Sequence, residues 1–220
     1  MNKNSTFIVK DYYSSLTHFI GCILSVFATP FLIGHAVYVG KDFRTICGLL
    51  IFMTSMIVLY GASASYHAFN ISDKGNRILK KIDHCSVFIL IAGSYTPICL
   101  SVLDKSEGLR LLMVVWGIAI AGIIFKLFWV FCPRYVSSIL YIFMGWVCIG
   151  KIGELYHLLG NGFYWLLLGG IFYSVGGIIY AIKKPFFKNE AETGFGNHEL
   201  FHIFILLGSL CHYITMMFYI

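Results

Sequence analysis

Apolar residues gather along this chain into seven blocks, at roughly 16–39, 45–69, 84–103, 109–132, 136–156, 163–182 and 200–219, separated by polar turns. Each block approaches the roughly 20 residues that a helix needs to cross the hydrocarbon of a bilayer. The pattern predicts an all-α integral membrane protein, a bundle of seven transmembrane helices over 16–220. A short polar segment, 1–15, precedes it and is read as a brief interfacial helix ending at Ser14-Ser15. The third span is expected to begin near Asp83. Pro30 and Pro97 fall inside spans and predict local kinks. Pairs such as Gly117 with Ala121 and Gly170 with Ser174 predict close approach of helix backbones.

Composition agrees with the pattern. The 220 residues are 59% hydrophobic and 12% charged, against about 25% charged in a soluble domain, and mean hydropathy is +0.82. The net charge of +6 changes the picture only through its distribution. With the N-terminus inside, the cytoplasmic side holds Lys3, Lys10, Lys74, Arg77, Lys80, Lys81, Arg134, Lys183, Lys184 and Lys188, ten of the sixteen basic residues. The other side holds Lys41, Arg44, Lys105 and Arg110. This bias satisfies the positive-inside rule and predicts a multi-pass protein of the cell membrane, plasma or bacterial inner, with a cytoplasmic N-terminus. The basic excess reads as contact with anionic lipid headgroups, not nucleic acid. Seven scattered cysteines without a C-x-x-C read as packing residues. The first apolar run is too long for a cleavable signal and carries His18 and Pro30, so it is expected to stay as an anchor.

Ionisable residues within a bilayer are costly, and by default functional or paired. His67 ends the second block, Asp83 starts the third, and His198 and His202 start the seventh, which puts all four at one depth on the inner side. His198 and His202 lie four apart, on one helical face. Three imidazoles and a water would make an open tetrahedral Zn²⁺ site, a set better suited to zinc than to magnesium or calcium. Asp83 could then orient the water and take its proton, or serve only as a first-turn acid of its helix. Ser63, one turn before His67, could bond an imidazole, the water or a substrate carbonyl, or its own helix carbonyl. His18 is a candidate outer partner of the site. His84 follows Asp83 and points about 100° away, so it is left out, and His35 and His157 fall on the outer side. His212 lies about 15 Å beyond His202 and is expected to be hydrogen-bonded within the bundle.

The segments Ser63-x-x-x-His67, Asp83-His84 running on to Leu90–Pro97, and His198-x-x-x-His202 resemble the three signature segments of the hemolysin III family. That family is the bacterial branch of the progestin and adipoQ receptor group, which includes the adiponectin receptors. The resemblance covers essentially the whole chain, including the Thr17-His18 pair. It implies a zinc ion held at His67, His198 and His202, with Asp83 near the metal's water and Ser63 close by. It also places the chain near the alkaline ceramidases, metal-dependent lipid amide hydrolases. Family members tend to carry an acid and an asparagine ahead of the Thr-His pair; this chain has Asp11 and Ser14, a departure that is expected to weaken any role for the first span.

These readings converge on a zinc-dependent hydrolase of a lipid amide or ester in membrane lipid homeostasis, with membrane lipids as partners and a lipid substrate or free fatty acid in the helix bundle. A non-enzymatic sensor or receptor with structural zinc uses the same ligands, and a cytolysin is a third reading. His198-Glu199-x-x-His202 also spells H-E-x-x-H. Zinc proteases with that pattern usually supply their further ligand downstream, where only eighteen residues remain.

Overall fold

The computed structural model describes residues 9–182, 184, 186–187 and 193–220. These form α1 (Tyr12–Tyr38), α2 (Phe43–Ala68), α3 (Asp73–Ser101), α4 (Lys105–Phe128), α5 (Arg134–Gly145), a 3₁₀ turn (Val147–Lys151), α6 (Ile152–Leu159), α7 (Gly162–Ala181) and α8 (Asn197–Tyr219). With α5, the turn and α6 running as one span, seven helices among the described residues are long and apolar enough to cross a membrane. No strand occurs among them.

The polarity of α1 explains why such a bundle belongs in lipid. Its buried stripe is small and polar, Ser14, His18, Gly21 and Ser25, while Phe27 and Phe31 are 66% and 68% exposed. In water this arrangement would be inside out. In hydrocarbon, where apolar burial supplies no drive between helices, small and hydrogen-bonding residues make the interfaces.

The close approaches fall elsewhere than at Gly117 and Gly170, where an added Cβ would meet nothing within 4 Å. At Gly108 of α4 a Cβ would stand 2.0 Å from the Cys99 carbonyl oxygen of α3, and at Gly48 of α2 it would stand 3.0 Å from Pro97 Cα. Small residues permit close contact without requiring it, so spacing alone does not identify the contacting face. Pro30 and Pro97 both sit inside unbroken helices. Ser72, whose hydroxyl accepts from the Gly75 N–H, caps α3 ten residues before the expected start.

The fifth span is interrupted at Gly145, and its backbone groups are satisfied there as a bilayer requires. Tyr95 of α3 donates its hydroxyl to the Gly145 carbonyl at 2.6 Å and accepts from the Cys148 N–H at 3.2 Å. Trp146 donates to Ser174 of α7 at 2.8 Å. The two lysines within spans are also partnered. Lys126 is fully buried and donates to Cys132 Sγ and Ser137 Oγ, and Lys151 pairs with Glu107 and Glu154. Helices α1, α2, α3, α5, α7 and α8 thus enclose an interior into which several polar side chains point, with α4 packed outside α3.

Candidate metal centre

The site is assembled at two helix ends, and backbone chemistry brings them there. A helix leaves its last carbonyls and first N–H groups without partners. At the end of α2, the N–H groups of Lys10 and Asp11 donate to the carbonyls of Ala68 and His67 at 3.2 and 2.8 Å. Lys10 Nζ also donates to the Tyr66 carbonyl at 2.8 Å. At the start of α8, Glu199 turns back to accept from the Gly196 N–H at 2.8 Å, and its other oxygen accepts from the Ser14 hydroxyl. Asn197 ties the start of α8 to two residues beyond α7, accepting from the Phe186 N–H at 2.9 Å and donating to the Lys184 carbonyl at 3.0 Å.

Anchored in this way, α8 presents His198 and His202 on one face, their ring centroids 4.6 Å apart. His67 of α2 meets them, with Nε2 lying 3.0 Å from His198 Nε2. Ligand-capable atoms of His67, His198 and His202 all fall within 4.8 Å of one another, so the trio could hold a metal ion.

The outer nitrogens are already committed. His67 Nδ1 donates to Asp11 Oδ2 at 2.9 Å, and His202 Nδ1 donates to the Ser14 carbonyl at 3.2 Å. A proton held on Nδ1 leaves the Nε2 lone pair for the cluster, as carboxylate–histidine–metal arrangements require. The hydrogen bond from His67 holds the Asp11 carboxyl below the usual carboxylate range, and Lys10, 3.6 Å away, adds to the effect. His18 stacks on His202 with centroids 3.6 Å apart and planes 7° from parallel. Neither of its ring nitrogens has a hydrogen-bond partner.

The cluster faces a cavity of about 120 Å³ that continues into the bundle. Asp83 and Ser63 share its wall with His18, His198 and His202, and the Ser63 side chain lies beside Asp83. Asp83 does not begin its helix. It is the eleventh residue of α3, which starts at Asp73, so the N-terminal dipole does not account for it. His84 also lines the cavity, because the chamber is wider than one helical face. His212 is not hydrogen-bonded within the bundle as expected; both its ring nitrogens are buried without a partner.

The first span contributes more to the site than the departure from the family pattern at Asp11 and Ser14 suggests. Asp11 orients His67, the Ser14 carbonyl orients His202, and Thr17 Oγ1 lies 3.3 Å from His202 Nδ1. The signal was present in the spacing, since Ser14 and His18 are four apart and both buried on one face of α1. Helix α1 starts at Tyr12, so Ser14-Ser15 lie within it and do not end a separate helix. Residues 1–8 lie outside the described residues.

Seven helices able to cross a membrane among the described residues, and a largely buried trio of histidines where the first, second and last of them meet, define a multi-pass membrane protein with a candidate metal centre. Comparison with known proteins narrows the class. Residues 7–213 match the family described as Haemolysin-III related, and the chain belongs to that family. It is 39% identical over 214 residues to the Hemolysin-3 homolog of Bacillus subtilis (strain 168), covering 96% of this chain and 95% of that protein. It is 37% identical over 224 residues to Hemolysin-3 of Bacillus cereus, covering 100% of this chain and 96% of that protein. The Adiponectin receptor protein of Drosophila melanogaster is 24% identical over 217 residues, 90% of this chain and 48% of the receptor.

Proposed function

We propose that the protein is a zinc-dependent hydrolase of a lipid amide or ester. The observation that carries the reading is an apolar cavity whose wall holds His198 and His202 of the three-histidine cluster together with the Asp83 carboxylate.

The donor set fits zinc. Tetrahedral zinc with bonds of about 2.05 Å separates its imidazole nitrogens by about 3.3 Å, which lies between the 3.0 Å contact and the 4.8 Å outer bound of the cluster. Three imidazoles, two of them held through Nδ1 so that Nε2 is left for the cluster, suit zinc better than ions that prefer oxygen. Asp11→Asn removes the carboxylate behind His67, so affinity for zinc is expected to fall by roughly 10–100-fold. Competition with a chromogenic chelator measures it, and unchanged affinity would remove Asp11 from the site.

Bound at this cluster, zinc would supply a Lewis acid for the carbonyl and lower the pKa of a water. Asp83 accepts the proton of the attacking water and returns it to the leaving nitrogen or oxygen as the acyl bond to that atom breaks. Ser63 lies beside the Asp83 carboxylate. The apolar wall beyond, including Val87, Ile91 and Ile205, takes the acyl chain and excludes bulk water. The basic residues near the cluster support a cytoplasmic position for this end of the bundle, with access from the inner leaflet of the cell membrane.

Zinc-loaded protein incubated with ceramide-like amides and acyl esters should release fatty acid, and chelator should stop the release. No product from any acyl lipid would favour the second reading, a membrane sensor with structural zinc. That reading is supported by the trio's position between α2 and α8, with His202 tied to α1. It expects chelation to lower the melting temperature without any turnover to lose.

A further inference from the structure

Ten residues beyond His202, α8 carries a second polar group into the interior. His212 is 7% exposed, and neither ring nitrogen makes a hydrogen bond. The Leu166 carbonyl lies near the ring but outside hydrogen-bonding geometry. The ring's position is built into the fold: it packs edge-on against Tyr173 with centroids 5.1 Å apart. On the other side Gly169 leaves it room, for a Cβ there would stand 2.1 Å from His212 Cδ2.

The niche is connected to the candidate metal centre. His212 lines the cavity that the centre faces and also a second cavity of about 70 Å³, and Ser94, Tyr95, Trp146 and Gly170 are common to both walls. It therefore stands where two largely apolar cavities adjoin, the two halves of the channel that an acyl chain would occupy. A hydrogen-bond relay ends at the same level. Tyr60 donates to Ser209 Oγ at 2.5 Å, and Ser209 Oγ lies 2.8 Å from the Tyr173 hydroxyl. With Ser209 accepting from Tyr60 and donating to Tyr173, the Tyr173 proton remains for a group in the channel.

We propose that His212 and Tyr173 form a polar subsite that recognises a hydroxyl group carried on the hydrocarbon chain of the lipid held in this channel. The inference rests on the reading of the channel as an acyl site. An unsubstituted chain would leave the imidazole donor and acceptor buried and unmet, which is unfavourable. A hydroxyl offers one donor and two acceptor lone pairs, the complement of a neutral imidazole beside a phenol. The rise of α8 puts the subsite about 15 Å from His202, about a dozen carbon–carbon bonds of 1.5 Å in zigzag along an extended chain.

The test compares stearic acid with a hydroxystearic acid substituted about twelve carbons from its carboxylate, each binding to zinc-loaded, full-length protein in detergent, by calorimetry. The hydroxy acid should bind about tenfold more tightly. His212→Phe should bind stearic acid normally and lose the preference. Ser209→Ala, which breaks the relay without touching His212, should reduce it and covers the case in which His212→Phe does not fold. Equal affinities in the wild type, or a preference that survives both substitutions, would overturn the subsite and leave the acyl channel standing, with a water in the niche. Binding of neither acid would overturn the channel itself and the subsite with it.

Discussion

His202→Ala protein, purified without chelator, is expected to contain almost no zinc where the wild type holds about one ion per chain. His67→Ala should behave in the same way. Loss of one imidazole leaves two, and two imidazoles hold zinc far more weakly than three. The fall in affinity should exceed the roughly 10–100-fold that follows loss of an outer partner such as Asp11. Elemental analysis measures the metal. The two substitutions differ in what else they remove. His202 donates to the Ser14 carbonyl and carries the stacked ring of His18, so its removal also loosens α1 from α8. His67 gives up its bond to Asp11, while the backbone bonds of Lys10 and Asp11 to the end of α2 remain. The melting temperature of His67→Ala should therefore match that of chelated wild type more closely than His202→Ala does. Zinc retained at wild-type level in both variants would show that the metal, if any, lies elsewhere.

Seven spans were legible in the sequence because hydrocarbon imposes a length and a composition on every helix that crosses it. Their ends were less so. Hydropathy places the third span from Asp83, yet the helix runs on as a polar extension from Asp73, capped by Ser72. The reason is that the hydrogen bonds of a helix do not stop where lipid does. The trio His67, His198 and His202 was readable because two of its members share a helical face and topology fixes the depth of the third. What sequence could not supply was the company each keeps. Asp11 reaches His67 across 56 positions of chain, and Ser14 reaches Glu199 across 185. Such pairings depend on which helices become neighbours, and no local periodicity records that. His212 shows the converse: its place along α8 follows from the sequence, but whether a buried imidazole finds a partner does not, and here neither ring nitrogen has one.

The pairing of Glu199 also bears on the protease pattern. A general base must reach the proton it takes. Glu199 is 8% exposed, with one oxygen on the Gly196 N–H and the other on the Ser14 hydroxyl. Its carboxylate closes the start of α8 and ties it to α1, which is structural work. Asp83, in contrast, lines the cavity beside the histidines.

Asp83→Asn is accordingly expected to lower fatty acid release by roughly 10²–10⁴-fold, the usual contribution of a positioned acid or base, while zinc content stays at the wild-type level. The amide keeps the size and shape of the carboxylate, so the cavity should hold its shape. What it lacks is a site basic enough to take the proton of water. Single-turnover release from an acyl amide, measured beside zinc content, separates loss of the base from loss of the metal. Ser63→Ala, which takes a hydroxyl from the wall beside the carboxylate without removing the carboxylate itself, should cost less than Asp83→Asn. Glu199→Gln should keep most of the activity, with any loss following a lower melting temperature. Release unchanged in Asp83→Asn but abolished in stable, zinc-loaded Glu199→Gln would transfer the role of base to Glu199 and revive the protease pattern as the better guide to the chemistry.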